Sequence, residues 1–139
     1  MANTDRQYRN GVPIEIITAA KSIRHSESGK TFFLNKAGGF TLTLPEPKAG
    51  MVFSFIVKTA PTTAYIITTD SGANIVQGTV AAGGVSSGAN SIDASGQDTI
   101  TFVANQAAVG DRIDVISDDT NWYVSGLVKL LAGLTFAVT

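Results

Sequence analysis

Residues 40–57 carry the clearest pattern in the chain, an alternation of apolar and polar side chains interrupted by a proline-rich corner. In "FTLTLPEPKAGMVFSF" (residues 40–55), three apolar residues alternate with two threonines, which indicates a half-buried strand. Two prolines then end the strand, because proline has no N–H to donate to a ladder. The alternation resumes over residues 51–57, so the stretch predicts two strands. Val52 and Ile56 make the second face of the later strand partly apolar, as expected if something covers it.

Similar short runs recur along the chain, each rich in β-branched or aromatic residues and bordered by turn-forming residues. They are "IEIIT" (14–18), "TFFLN" (31–35), "AYIITT" (64–69), "DTITFV" (98–103), "RIDVIS" (112–117) and "NWYVSG" (121–126). A helical period does not hold for three turns at any point. Short strands at regular spacing therefore predict an all-β domain over residues 14–126, a compact antiparallel β-sandwich or barrel.

Three segments do not follow this pattern of short strands separated by turns. Residues 1–13 have no periodicity and are interpreted as an extended N-terminal arm, disordered or held by a partner. Residues 78–97 are dominated by glycine, alanine and serine, and we expect a long loop there. That loop is either a flexible insertion or a segment that becomes ordered against a neighbouring subunit through Val80, Val85 and Ile92. Residues 127–139 are interpreted as a final apolar strand or an arm exchanged between subunits.

The composition predicts that apolar surface is buried between subunits. Hydrophobic residues make up 44% of the chain and charged residues only 15%, which leaves much apolar surface for one domain to hide. The C-terminal "LVKLLAGLTFAVT" and the long loop are the candidates for such an interface. The candidate interface residues are Leu127, Leu130, Leu131, Leu134, Phe136, Val138, Val80 and Val85.

Charge and cysteine content narrow the possible partners. A formal net charge of −1 offers no basic field for nucleic acid, and the absence of cysteine excludes disulfides and thiolate metal sites. The polar start "MANTDRQYRN" lacks the apolar core of a signal peptide. The longest apolar stretch, residues 127–138, is shorter than the roughly 20 residues that span a bilayer. We therefore expect a soluble protein with no membrane partner, assembled in a reducing cytoplasm.

The search for catalytic motifs finds only isolated residues. Gly29, Lys30 and Thr31 resemble the end of a phosphate-binding loop, but Arg24 stands where that loop needs a glycine, and a strand follows instead of a helix. His25 is the only histidine and lies in no nucleophile motif, so we interpret it as a solvated loop residue.

The carboxylates are also interpreted as structural. Asp111, Asp114, Asp118 and Asp119 lack the ligand spacing of a calcium loop, and aspartates commonly begin turns by capping backbone N–H groups. Three glutamates, at positions 15, 27 and 46, are scattered, and the sequence alone does not bring them together as a glycosidase would require. We expect no enzymatic activity, no cofactor, no metal and no small-molecule substrate.

Trp122 and Tyr123 are adjacent, so in a strand they point to opposite faces. One is expected to fill the core and the other to lie at the surface. Tyr123 is the candidate surface aromatic.

Three stretches, 40–69, 73–80 and 98–126, resemble small β-rich virion proteins of tailed bacteriophages, the head decoration or cement proteins. The most specific piece is "SDDTNWYVSG" (117–126), where related phage proteins often read S-D-G-T-N-W-Y-V and this chain has Asp119 in place of the glycine. The likeness extends from about Gly29 to Gly126 and implies a jelly-roll or β-tulip-like fold.

The resemblance also implies a function without an active site or cofactor. It implies a homotrimer that binds the major capsid protein on the exterior of the mature phage head and stabilises the shell, after assembly in the host bacterial cytoplasm. The same Trp-Tyr hairpin occurs in phage tail and fibre proteins. The alternative is therefore a tail or fibre-associated adaptor or receptor-binding domain that recognises host surface glycan.

Overall fold

The computed structural model describes residues 11–69, 73–84 and 88–139, which form two β-sheets packed face to face. The seven-stranded sheet contains, in spatial order, β1 (Ile14–Ile17), β3 (Thr31–Leu34), β5 (Val52–Val57), β10 (Arg112–Ser117), β11 (Trp122–Val128), β7 (Val76–Ala82) and β8 (Ser91–Gln97). The five-stranded sheet contains β12 (Leu134–Ala137), β9 (Thr99–Phe102), β6 (Tyr65–Thr68), β4 (Phe40–Thr43) and β2 (Lys21–Ser22). Two 3-10 turns, His25–Glu27 and Leu131–Gly133, complete the described elements. The predicted all-β sandwich is confirmed, and the described strands do not close into a barrel.

The sheets are mixed and contain parallel as well as antiparallel pairs, where the sequence predicted antiparallel strands. From residue 14 to residue 68 the chain passes alternately between the two sheets. As a result β1, β3 and β5 run parallel in one sheet, and β2, β4 and β6 run parallel in the other. After two successive crossings the chain returns to the sheet it left, and the new strand runs parallel to the previous strand of that sheet. The later strands form two hairpins, β7–β8 and β10–β11, and β7 lies parallel to β11.

The core lies between the sheets and is built by the inward side of each alternating strand. In β5, Phe53 and Phe55 are buried while Val52 is exposed, as the sequence pattern predicts. Trp122 is fully buried and its ring centroid lies 5.8 Å from that of Phe53. Tyr123 points to the opposite face and is exposed, which confirms the predicted split between the two aromatics.

The predicted loop at residues 78–97 is in fact the β7–β8 hairpin, with residues 85–87 outside the described part of the chain. Small residues are needed here because β7 passes very close to β11. A Cβ on Gly78 would lie 2.1 Å from the carbonyl oxygen of Val124, so a side chain cannot fit. Val80 points into the core and is fully buried. Low hydrophobicity in this segment therefore reflects close strand approach rather than a missing strand.

The C-terminal segment pairs with the chain's own sheets in this single-chain structure, and its last strand lies at the edge of the five-stranded sheet. β11 continues past residue 126 to Val128, and β12 pairs with β9 in antiparallel register, Leu134 opposite Phe102. The buried carboxylate of Asp98 accepts hydrogen bonds from Thr139 N–H at 3.0 Å and from Thr139 Oγ1 at 3.3 Å. Of the predicted N-terminal arm, residues 1–10 lie outside the described residues.

An ionic cluster of Glu15, Lys21, Glu27 and Lys30 closes one edge of the sandwich. Glu15 and Lys21 project inward from β1 and β2, the edge strands of the two sheets on that side. Each lysine Nζ lies within 3.0 Å of both glutamates, and the two ammonium groups lie 5.4 and 5.8 Å from the ring centre of Phe32. The two sheets are thus joined at this edge by ion pairs resting on an aromatic ring.

The cluster shifts the ionisation of its members. Burial alone would raise the pKa of Glu27, but hydrogen bonds from Lys21, the Arg24 N–H and Lys30 outweigh it and lower that pKa to about 2. Hydrogen bonds from Lys30 and Lys21 lower the pKa of Glu15 as well. The same contacts with Glu15 and Glu27 raise the pKa of Lys30. These shifts all favour the charged forms of Glu15, Glu27 and Lys30.

Candidate protein-interaction surface

The outer face of the seven-stranded sheet carries exposed apolar side chains arranged in rows across the strands. At one end of the strands, the β5–β10 and β10–β11 registers align Val52, Ile116 and Tyr123 side by side. Their exposed fractions are 39%, 49% and 41%. Water-exposed neighbours of this kind form a continuous apolar strip rather than isolated surface residues.

A second apolar row lies nearer the other end of the same strands. The strand registers place Ile16, Phe33, Ile56, Arg112 and Leu127 in one line across five strands. Ile16 and Leu127, at the two ends of the row, are more than half exposed. The row therefore presents apolar contact area interrupted by one cation.

A polar row separates these two apolar rows. Ser54, Asp114 and Ser125 are aligned across β5, β10 and β11. Asp114 Oδ1 accepts hydrogen bonds from Ser54 Oγ at 2.5 Å and from an Arg112 guanidinium nitrogen at 3.0 Å. Arg112 and Asp114 are well exposed, so the ion pair is hydrated in the isolated chain.

Where β7 and β11 end and β10 begins, the surface forms an apolar cavity of about 560 Å³, here called the end groove. Val109, Leu127 and Leu130 supply its exposed apolar side chains, at 56%, 58% and 44% exposure. Gly83 and Gly84 form part of the wall. A Cβ on Gly84 would lie 2.3 Å from the Lys129 carbonyl oxygen, so glycine permits the close approach that shapes the groove.

The carboxylate that lines the end groove is structural. Asp111 is buried, and its two oxygens accept hydrogen bonds from the backbone N–H groups of Ala108 at 2.8 Å and Lys129 at 3.0 Å. These bonds tie the segment before β10 to the end of β11. The acidic group of the end groove is therefore already engaged in two hydrogen bonds.

A fourth apolar feature, here called the edge stripe, consists of Val12, Ile14 and Ile16, the last of which also ends the second row. Their exposed fractions are 63%, 52% and 52%. β1 is the edge strand of the sheet, with β3 as its hydrogen-bonded neighbour among the described strands. Exposed isoleucines on an edge strand are unusual, because natural sheet edges usually carry charges or prolines that prevent association.

The turn before β11 is held by the carboxylate of Asp118, in the structural role that the sequence predicts for this residue. Asp118 Oδ1 accepts the backbone N–H groups of Asn121 at 2.8 Å and Thr120 at 3.0 Å, and Asp118 Oδ2 accepts the Tyr123 hydroxyl at 2.9 Å. These bonds hold the pKa of Asp118 well below its ordinary value, and the carboxylate raises the pKa of Tyr123. Asp119 adopts a left-handed backbone with φ of 87°. In the described residues, acidic and histidine side chains form no cluster of three or more that could hold a metal ion.

The structure divides the predicted interface residues into three groups. Leu127, Leu130, Leu131 and Val138 are exposed. Val80 and Leu134 are buried in the chain's own core, so their prediction as interface residues is wrong, and Phe136 packs partly buried against that core. Val85 lies outside the described residues.

The remaining candidates have local partners. The ammonium of Lys30 belongs to the ionic cluster, and an imidazole nitrogen of His25 lies 2.9 Å from the Glu46 carbonyl oxygen. Sequence reasoning missed the edge stripe, although the spacing of its three residues at every second position was a usable signal.

Among the described residues, no helix has the length and apolar character needed to cross a membrane. A comparison with protein-family models and with curated protein sequences finds no match to this chain.

Proposed function

We propose that this chain is a bacteriophage head decoration protein that binds the outer surface of the mature head as a homotrimer and stabilises the shell. The observation that carries the proposal is the grouping of exposed apolar side chains into two rows, one groove and one edge stripe. Stable protein interfaces have an apolar centre and bury on the order of 1,200–2,000 Å² in total. A chain of 139 residues with this much organised apolar surface is suited to binding other protein surfaces.

The chemistry of the surface supports a structural role rather than catalysis. Aliphatic groups such as Leu127 and Leu130 exclude water but transfer no protons. Asp111, the acidic group in the end groove, already accepts two backbone hydrogen bonds. The resemblance of residues 117–126 to phage virion proteins supports placement on a virion, and the Asp118–Tyr123 hydrogen bond gives that motif a structural purpose.

The mechanism is thermodynamic linkage. A subunit that binds the mature shell and not its precursor stabilises the mature shell by RT ln(1 + [L]/Kd) at each site, about 2.7 kcal/mol when the free concentration is 100 times Kd. Contacts to several copies of the major capsid protein add through multivalency. The proposal needs no cofactor, nucleic acid, membrane or small-molecule substrate, and it places the protein on the capsid exterior after assembly in the host cytoplasm.

The test mixes the purified chain with undecorated heads of the phage that encodes it. We expect added density on the capsid exterior at saturating protein, and heads that rupture at a higher temperature. Capsid precursors prepared in parallel serve as the control, since they should bind less. Heads that gain neither density nor resistance to rupture would exclude the proposal.

One observation favours the tail-adaptor alternative. Tyr123 presents an exposed ring beside the turn, and aromatic rings of this kind stack on sugars. Under this alternative, binding to host surface glycan on an array is lost in Tyr123→Ala and largely kept in Tyr123→Phe, which retains the ring. Absence of glycan binding by the wild-type chain would remove this candidate.

A further inference from the structure

We propose that residues 11–20 form a detachable strap, which an ionic latch closes over the edge of β3 and which opens without unfolding the rest of the chain. The strap contains β1 (Ile14–Ile17) and the connection that leads to β2. Its opening removes the edge stripe from the sheet and uncovers the backbone of β3 as a new edge. The device belongs to the isolated chain, so the inference does not depend on the proposed function.

Packing holds the strap only weakly. Of its ten residues only Ile17 is buried, whereas the side chains of the edge stripe are more than half exposed and residues 18–20 are exposed as well. In β10, by comparison, three of six residues are buried. Segments with few buried apolar contacts open at a lower free energy than the whole fold. Hydrophobic burial therefore contributes little to keeping the strap on the sheet.

Backbone hydrogen bonds hold the strap on one side. β1 is the outermost strand of its sheet, and among the described strands it pairs with β3. The carbonyl oxygens of Pro13 and Ile17 accept the N–H groups of Thr31 and Asn35, each at 2.9 Å. These two N–H groups lose their acceptors when the strap leaves. They are therefore direct reporters of its position.

Glu15 is the residue through which side chains fasten the strap. It lies in the middle of β1, and its carboxylate is 2.9 Å from Lys21 Nζ and 2.8 Å from Lys30 Nζ. Both lysines lie outside the strap, Lys21 in β2 of the opposite sheet and Lys30 immediately before β3. Two ion pairs from one carboxylate therefore connect the strap to both sheets.

The receiving half of the latch is held in place without the strap. Glu27 lies within 3.0 Å of both lysine ammonium groups and also accepts the Arg24 N–H at 2.9 Å. The two ammonium groups lie 5.4 and 5.8 Å from the ring centre of Phe32. The two cations therefore remain together when Glu15 departs, and they attract its carboxylate back. The opening is reversible for this reason.

Partial exposure makes the latch sensitive to salt. The three side chains that form the Glu15 ion pairs are between 22% and 33% exposed. Dissolved ions screen charges at this depth, whereas the apolar contacts of the core carry no charge to screen. Ionic strength therefore shifts the balance between the closed and the open strap.

Native-state hydrogen exchange, followed by NMR under conditions where the rates report opening equilibria, tests the strap. The N–H groups of Thr31 and Asn35 are the reporters. The N–H of Val57, which donates to the Asp111 carbonyl oxygen at 2.9 Å inside the sheet, is the reference. With intrinsic exchange rates divided out, the two reporters should exchange at least about tenfold faster than the reference in the wild type.

Two variants separate opening of the strap from unfolding of the whole chain. Glu15→Gln keeps the shape of the side chain and removes its charge, so the reporters should exchange roughly fivefold faster or more, the effect of losing two partly exposed ion pairs. Val115→Ala, the control, truncates a buried residue of β10 that stays packed while the strap is open. It should speed the reference and leave the reporters unchanged.

Two results would overturn the inference. If the reporters exchange as slowly as the reference and respond equally to Val115→Ala, the strap opens only when the whole chain unfolds. If the reporters are fast but unaffected by Glu15→Gln, the ion pairs do not fasten the strap. Raising the NaCl concentration from about 0.01 M to about 1 M should speed the reporters more in the wild type than in Glu15→Gln, and equal responses would also contradict the latch.

Discussion

Replacing Glu27 with glutamine tests whether the ionic cluster at the sandwich edge stabilises the fold. The substitution keeps the shape of the side chain and removes its negative charge. Lys21 Nζ at 2.5 Å and Lys30 Nζ at 3.0 Å then share a single remaining carboxylate, that of Glu15. One positive charge is left without compensation between the two sheets.

The exposure of these groups sets the expected loss of stability. The Glu27 side chain is only 8% exposed, whereas the two lysines are 22% and 25% exposed. Breaking a buried pair costs about 3–5 kcal/mol and an exposed pair about 0–1 kcal/mol, so this intermediate case should cost about 2 kcal/mol at pH 7.

The same cluster predicts a dependence of stability on pH. The pKa of Glu27 is lowered from 4.5 to about 2 by folding, so the folded state binds this proton less readily than the unfolded state. The contribution is therefore fully present above about pH 4.5 and is lost as the pH falls towards 2. The stability difference between the wild type and Glu27→Gln should shrink over that range.

Urea unfolding at pH 7 and at several lower pH values measures both effects. Glu46→Gln is the control, because Glu46 is exposed and forms no ion pair with the described residues; its effect should stay within about 0.5 kcal/mol. A Glu27→Gln protein as stable as Glu46→Gln at pH 7 would refute the argument. It would mean that apolar contacts alone hold this edge.

Three further predictions concern other parts of the chain. Asp119→Gly should raise the urea midpoint by an amount worth about 0.5–1 kcal/mol, because glycine tolerates the φ of 87°; a lower midpoint would contradict this reasoning. Trp122→Phe should cost only about 1 kcal/mol by circular dichroism, since the lost volume is offset by removing an indole N–H that has no hydrogen-bond partner among the described residues; a loss above about 3 kcal/mol would contradict it. Deleting residues 1–12 should weaken binding to heads in a sedimentation assay and leave the fold intact, whereas unchanged binding would exclude a role for the arm in the proposed function.

Much of the fold could be predicted because its strands obey a period of two. The strands β1, β3, β5 and β10 lie where the alternating sequence pattern predicts strands. The parallel winding could not be predicted, since short strands separated by turn residues look the same whether the next strand joins the same sheet or the opposite one. The β7–β8 hairpin was missed because close contact between β7 and β11 selects glycine, which the pattern treats as a loop residue.

The candidate surface could be predicted only in part. Apolar content pointed to the region of Leu127 and Leu130, which are exposed, but composition does not distinguish inward from outward positions when strand bounds are unknown. Leu134 is buried, for example, whereas Leu130, Leu131 and Val138 of the same apolar segment are exposed. No pattern in the sequence predicts the ionic cluster, because Glu15 and Glu27 come together only after the chain has passed through both sheets.

The alternating path of the first strands has a consequence for how the protein folds during synthesis. From residue 14 to residue 68, no two consecutive described strands are hydrogen-bonded neighbours, so this half contains no local hairpin. Both hairpins of consecutive strands follow Val76. Pairing between neighbouring strands is faster than pairing between distant ones. We therefore expect residues 14–68 to leave the ribosome before their sheets form, and to become ordered against the hairpins that are synthesised later.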